Sequence, residues 1–312
     1  MNFFNKEKNI AIFGATGHIA KNLIYQFLNN TEHKLFLFST NSSNLQSFIS
    51  TITNNKNIFY ISYENLHSQS FDVIINCIGI SNPSDIKTHK NKILALSKKY
   101  DDVILEYLQK HIFCQYLNFS SGIVYGNFLQ PPHDELSSNS ISNDLLHDEY
   151  YLSKIYLEKK HRSLPSFNII DIRIFSFFSK FINLNTDFFI SKIIKSINNN
   201  EEFFTNKQNF FRDFIHPKDL FQLICSCMEN SKLNFAIDAY STSPVSKYDI
   251  LEEFSNHYNL KYSFKPDLKI NQSTGFKEYY YSLSRKAKNI GYVPIYSSLK
   301  TLLDESASLI KS

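Results

Sequence analysis

An apolar run, Asn9 to Phe13, leads straight into Gly14-Ala15-Thr16-Gly17-His18-Ile19-Ala20 and then into helical spacing of Ile19, Leu23, Ile24, Phe27 and Leu28. Few folds accept a strand joined to a helix through Gly-x-x-Gly-x-x-Ala. Gly14 supplies a tight turn, Gly17 lets a pyrophosphate approach the backbone, and Ala20 lets the helix pack closely on the strand. Amides at the helix start then face the phosphates. The motif weighs more because glycine is scarce: 7 in 312 residues, against roughly 22 at ordinary usage. Much of the bias toward Phe, Tyr, Ile, Asn and Lys is that of A/T-rich codons, so a surviving glycine marks a position that needs one. The expectation is a dinucleotide site.

Apolar runs and helical stretches alternate beyond this turn. Lys34 to Phe38, Ile58 to Ile61, Phe71 to Ile80, Phe113 to Phe119 and Phe167 to Phe175 read as strands. Leu45 to Ile52, Ile93 to Leu108 and Leu145 to His161 read as helices. That alternation predicts an α/β fold with a parallel sheet covered on both faces. Shorter elements follow, punctuated by Pro217, Pro244, Pro266 and Pro294, while Ser137 to Asn143 reads as a loop. The 43% hydrophobic and 20% charged fractions exclude disordered, collagen-like and long coiled-coil chains. No apolar run is long enough to span a bilayer, and the N-terminus lacks the pattern of a signal peptide. A soluble cytoplasmic protein is expected, with neither a membrane nor a nucleic-acid partner, because the charge of +4 is dispersed. Cys77, Cys114, Cys225 and Cys227 form no disulfide framework. Cys225-x-Cys227 reads as core packing, and no metal site is expected.

The end of the second strand usually separates NAD from NADP, through an acid that binds the adenine ribose. Here it reads Phe38-Ser39-Thr40-Asn41. Without an acid, a 2′-phosphate is tolerated, so NADP is favoured and NAD is the alternative. Further on, Ser120-Ser121-Gly122-Ile123-Val124-Tyr125-Gly126 closes a strand, and Tyr150-Tyr151-Leu152-Ser153-Lys154 lies on a helix. Tyr150 and Lys154, four apart, share a helix face. A nearby ammonium is expected to pull the Tyr150 phenol down from its ordinary pKa near 10. Tyr150 could then exchange a proton with a carbonyl or hydroxyl oxygen that Ser121 also binds, while hydride passes to or from a nicotinamide.

Together, Gly14-x-x-Gly17-x-x-Ala20, the Ser120 to Gly126 segment and Tyr150-x-x-x-Lys154 resemble the extended short-chain dehydrogenase/reductases, specifically the nucleotide-sugar epimerase/dehydratase group. Phe211-Arg212-Asp213-Phe214-Ile215-His216-Pro217-Lys218-Asp219-Leu220 and Ser284-Arg285-Lys286-Ala287-Lys288-Asn289-Ile290-Gly291-Tyr292-Val293-Pro294 are similar to two further segments of that group. The resemblance implies a Rossmann-type doubly wound sheet with a smaller C-terminal substrate-binding lobe. The dinucleotide-binding part would be 1–175, completed by about 206–238, and the lobe 176–205 with 239–312. It implies Ser121, Tyr150 and Lys154 as catalytic residues. Cofactor contacts would come from Gly14, Thr16, Gly17, His18, Ile19, Ser39, Thr40, Asn41, Cys77, Ile78, Gly79, Tyr150 and Lys154. Ser121, Ser176 and Arg212 would bind substrate, Arg212 through the diphosphate of a nucleotide sugar. The alternative for Arg212 is a structural pair with Asp213 or Asp219. A homodimer through the helices near 93–108 and 145–161 is implied as well.

Three departures narrow the activity. Where related 4,6-dehydratases carry Asp-Glu after the catalytic hydroxyl, this chain has Gly122-Ile123, which disfavours a dehydratase. Arg-x-x-Asn-x-x-Gly becomes Arg173-x-x-Ser176-x-x-Ser179. A second phosphate-binding Arg is replaced by Gln272, with Lys269 and Lys277 as possible substitutes. The expected function is NADP(H)-dependent reduction of a 4-keto nucleotide sugar for surface-glycan synthesis. The alternatives are an NAD-dependent 4-epimerase and a non-catalytic NADP-binding regulator.

Overall fold

The computed structural model describes residues 6–52, 57–80, 82–89, 92–126, 128–129, 148–230, 232–265 and 277–311. Lys269, Gln272, Gly275, Pro266 and the Ser137 to Asn143 stretch lie outside them. In chain order the strands are β1 (Asn9–Phe13), β2 (Lys34–Phe38), β3 (Ile58–Ile61), β4 (Val73–Asn76), β5 (Gln115–Ser121), β6 (Ile169–Ile174) and β7 (Ser176–Phe177). They continue with β8 (Phe203–Thr205), β9 (Phe211–Arg212), β10 (Phe214–Ile215), β11 (Asn234–Asp238), β12 (Val245–Ser246), β13 (Tyr262–Phe264) and β14 (Tyr279–Tyr280). The helices are α1 (His18–Asn30), α2 (Ser42–Ile52), α3 (Pro83–Thr88), α4 (Ile93–Lys110), α5 (Glu149–Arg162), α6 (Phe189–Asn198), α7 (Pro217–Glu229), α8 (Lys247–Tyr258) and α9 (Ser298–Ser306).

Seven strands pair in the order β3-β2-β1-β4-β5-β6-β11, all parallel. This is the Rossmann-type doubly wound sheet. Chain order reverses between β1 and β4, and in such sheets the crevice beyond the strand ends at that point receives the ligand. Alternation sends successive side chains to opposite faces. Ile10 and Ile12 pack with Leu23, Ile24, Leu223 and Ile224 of α1 and α7. Ala11 and Phe13 pack with Ile104 and Leu108 of α4 on the other face. Cys225 and Cys227 are buried free thiols of α7. A separate apolar cluster joins α6, α8 and α9 through Ile193, Ile250, Phe254 and Leu302.

Several element ends differ from the sequence pattern, each for a local reason. The strand expected to reach Ile80 stops at Asn76, whose side-chain oxygen accepts the Ile78 N–H at 3.0 Å and turns the chain out of the sheet. β5 begins at Gln115, and Phe113, expected inside the strand, is 88% exposed. α2 begins at Ser42 because the Asn41 side chain caps it, accepting from Asn44 N at 3.1 Å. α5 begins at Glu149, capped by Asp148 through Tyr151 N at 2.9 Å. Among the described residues, no helix is long and apolar enough to cross a membrane.

Candidate active site

The glycine turn sits at the switch point. Gly14 has φ +68°, and a side chain there would stand 3.0 Å from Ile78 Cγ1, so both backbone and space demand glycine. Gly17 N donates to Gly14 O at 2.9 Å, and Ala15 N to Phe38 O at 3.0 Å. The N-cap of α1 is Gly17, which has no side chain to cap it, and the first turn carries no acid, an arrangement that suits an anion at the positive helix end. Thr16 and Ile19 flank this end, Ile19 packing on the core. Cys77 N donates to Phe13 O at 3.0 Å, which lays the Cys77-Ile78-Gly79 loop over the turn.

His18 is held by the segment after β7. Its Nε2 lies 2.7 Å from Ser179 Oγ, which also accepts from Asn22 Nδ2 at 2.8 Å. Ser179 stands at one of the departures from the family pattern, and its hydroxyl ties α1 to the segment after β7. Burial drives the His18 imidazole down to about 4, so it is neutral at physiological pH. At the end of β2, Ser39 Oγ accepts Asn41 N at 2.9 Å and Asn41 Oδ1 accepts Ser43 Oγ at 3.0 Å. Thr40 is exposed. Tyr63, which sequence reasoning missed, accepts Gly14 N–H and donates to Phe38 O, both at 3.3 Å. No motif signals it, because its role arises from β1 and β2 lying side by side.

Ser121 ends β5, and its Oγ accepts Ile123 N–H at 3.3 Å. Tyr150, one turn before Lys154 on α5, has its phenol near the Ser121 hydroxyl. Lys154 Nζ donates to Phe119 O at 2.8 Å and lies 5.8 Å from the Tyr150 ring centre. A side chain at Gly79 would come within 3.9 Å of that ammonium. The structure thus brings the glycine turn, the Gly79 loop, Ser121, Tyr150 and Lys154 to one crevice. Burial pulls Lys154 down to about 8, against the opposing attraction of Asp171 and Glu158. The Tyr150 phenol departs from expectation. It is raised, because burial outweighs the opposing influence of the nearby Ser121 hydroxyl.

Gly122 follows Ser121 for a steric reason, since a Cβ there would sit 2.4 Å from the Phe175 ring. Opposite, β9 carries Arg212. Its guanidinium lies 4.5 Å from the Phe210 ring centre and 5.8 Å from that of Tyr280, with Nη1 donating to Phe211 O at 2.8 Å. Arg212 pairs with neither Asp213 nor Asp219. Asp213 accepts from Ser241 N and Ser298 Oγ, and Asp219 accepts from Ile295 N and Tyr296 N. Burial lowers Arg212 to about 10. Lys277 is lowered to about 7, first by burial and then by Arg212. Ser176 lies on β7 in register with Phe214, two residues from Arg212; its side chain is not joined to Ser121 or Tyr150.

Tyr280 is the second residue that sequence reasoning missed. β14 pairs with β9 so that Tyr280 faces Arg212 in register, and its hydroxyl lies 2.9 Å from Ser121 Oγ. The aromatic run Tyr279-Tyr280-Tyr281 was visible, but the strand pairing that aims the middle ring was not.

No curated protein sequence matches the chain. Solved structures do. UDP-glucose-4-epimerase from Stenotrophomonas maltophila with bound NAD superposes with TM-score 0.81 at 12% identity, covering 97% of this chain and 98% of the other. UDP-N-acetylglucosamine 4-epimerase from Methanobrevibacter ruminantium M1, in complex with UDP-N-acetylmuramic acid, gives 0.80 at 16%, with the same coverage. dTDP-glucose 4,6-dehydratase from Bacillus anthracis str. Ames in complex with NAD gives 0.77 at 15%, covering 96% of each chain. At these identities the likeness is one of fold. The sequence model of the NAD dependent epimerase/dehydratase family, however, matches residues 10–240, most of the chain, and this protein belongs to that family.

Proposed function

We propose that the chain is a nicotinamide-dinucleotide-dependent oxidoreductase acting on a nucleotide-linked sugar, and specifically that it reduces a 4-keto sugar with NADP(H). One observation carries the reading: the Ser121, Tyr150 and Lys154 side chains meet beside the Gly14–Gly17 turn, with Arg212 across the crevice. The residues fit the cofactor, since the uncapped α1 start suits a pyrophosphate and Gly79 leaves room beside Lys154. When bound, the dinucleotide would give hydride to, or take it from, the sugar carbon. Ser121 would hold the carbonyl oxygen by a hydrogen bond, and Tyr150 would hand it a proton. Lys154, cationic below about pH 8, would offset the negative charge left on the phenol. Arg212 and Lys277 would hold the diphosphate.

The absence of an acid at Ser39-Thr40-Asn41 supports NADP(H). Phe175 over Gly122 argues against a 4,6-dehydratase, because no carboxylate fits there. The second reading is a 4-epimerase that retains NAD, favoured by the likeness to epimerases whose structures contain NAD. The test incubates purified protein with CDP-, dTDP-, GDP- and UDP-linked 4-keto sugars and NADPH or NADH, following nicotinamide absorbance. NADPH oxidation with one of them supports the reductase. Protein that carries NAD through purification and interconverts 4-epimers without added cofactor supports the epimerase. If no dinucleotide binds in either reduction state, both fail.

A further inference from the structure

Ser121 Oγ has one proton and two lone pairs, and two partners in the fold already engage them. Ile123 N–H occupies a lone pair at 3.3 Å. The Tyr280 hydroxyl engages Ser121 Oγ at 2.9 Å, with the Tyr150 phenol close by. If Tyr280 donates to the second lone pair, the Ser121 proton is left free to turn toward Tyr150. Tyr280 is not free to turn away. The residue is 8% exposed, its ring wedged between Phe128, edge-on at 5.0 Å, and Phe175 at 5.3 Å.

We propose that Tyr280 is a positioning residue of the reacting centre: its hydroxyl donates to Ser121 and so turns the Ser121 proton toward the Tyr150 oxygen. The directed chain runs Tyr280 O–H to Ser121 O, then Ser121 O–H to Tyr150 O. It fits the state in which Tyr150 has given up its proton, when that oxygen can only accept. Tyr280 suits the donor end because burial and the neighbouring Tyr150 hold its proton on more firmly. The charged groups facing the pair are Lys154 and Asp148 beside Tyr150, and Arg212 and Lys277 beside Tyr280. All are retained in the variants below.

The inference gives a partner to the Tyr150 named in the proposed function and rests on that reading for its catalytic meaning, but its test needs no substrate. Protein carrying tyrosine labelled with carbon-13 at Cζ is titrated by NMR, with and without NAD, and Tyr150 is assigned as the resonance lost in Tyr150→Phe. Tyr280→Phe keeps the wedged ring and removes only the hydroxyl. In that variant the Tyr150 ionisation should move up by about one pH unit, the order of one lost hydrogen bond. In a Ser121→Ala background the same change should move it no further, because the chain passes through Ser121. No shift in Tyr280→Phe, or an equal shift with Ser121 absent, overturns the proposal. Failure of the protein to bind NAD or NADP would sink the proposed function while leaving this coupling, read in the cofactor-free protein, to be decided on its own.

Discussion

Two clusters of buried charge are treated in opposite ways. In one, fully buried His161 sits between Asp101 Oδ1 at 2.7 Å and Asp171 Oδ1 at 2.9 Å. Lys160 adds a bond to Asp101, and Arg162 one to Asp171. Parallel register sets Asn76, Asn118 and Asp171 side by side across β4, β5 and β6, and they are linked: Asn118 Nδ2 donates to Asp171 Oδ1 at 2.7 Å and Asn76 Nδ2 to Asn118 Oδ1 at 3.3 Å. Arg173 is likewise engaged, with Glu158 at 2.7 Å. In the crevice, by contrast, Arg212 has no carboxylate partner among the described residues, only carbonyls and aromatic faces. A buried cation is costly without a counter-charge. Where the protein supplies that charge the cluster is architecture, and where it does not, the proposed nucleotide sugar would bring it.

If that contrast is right, the largest effect comes from breaking the paired cluster. Asp171→Ala removes a partner from His161 and Arg162 together, and should cost about 3–5 kcal/mol in urea unfolding. A loss below about 1 kcal/mol would erase the distinction between the two regions. A smaller effect follows from pH. The two carboxylates raise the His161 imidazole from 6.5 to about 9 in the folded protein, overcoming burial. A group whose folded pKa is raised stabilises fully below its unfolded value and loses that contribution as pH climbs to the folded one. The urea midpoint should therefore fall between about pH 6.5 and 9, and His161→Gln should flatten that slope. An identical slope in the variant would assign the fall to other groups.

The paired cluster also marks what was legible in the chain. Strand–helix alternation is a local property, so six of the seven sheet strands and the Gly14–Gly17 turn could be read from spacing alone, while β11, far along the chain beside β6, could not. Ser121, Tyr150 and Lys154 could be read because each falls within a short motif. Tyr63, Ser179 and Tyr280 could not, since each owes its position to a partner 49, 161 or 159 residues away. The phenol of Tyr150 was misjudged for a related reason. Its spacing from Lys154 is local, but its burial, which decides the direction of the shift, comes from the whole fold.

Arg212 tests the other side of the contrast at lower cost. Arg212→Ala should leave stability within about 1 kcal/mol of the parent, because no carboxylate is stranded. Affinity for a nucleoside diphosphate, read by calorimetry, should fall about 10–100-fold, the worth of a charge-assisted contact. Arg212→Lys should recover only part, since an ammonium lacks the fork that grips two oxygens. Loss of stability comparable to that in Asp171→Ala would make Arg212 structural after all.

The last effect concerns the crevice wall. Gly122 is not demanded by its φ, for it is not among the residues with positive φ. It is demanded by the Phe175 ring, 2.4 Å from where a Cβ would lie. Gly122→Ala should therefore cost about 1–3 kcal/mol through overpacking, and pairing it with Phe175→Leu should return much of that loss. Simple additivity of the two changes would mean that the ring is not the obstacle. The double variant also bears on the chemistry. If Phe175 occupies the space that an acid would need, Gly122→Asp with Phe175 in place should lose stability and gain no water-eliminating activity. With Phe175→Leu it should fold. The crevice of the native chain would then owe its lack of an acid beside Ser121 to a single aromatic ring, packed against Tyr280 on its other edge.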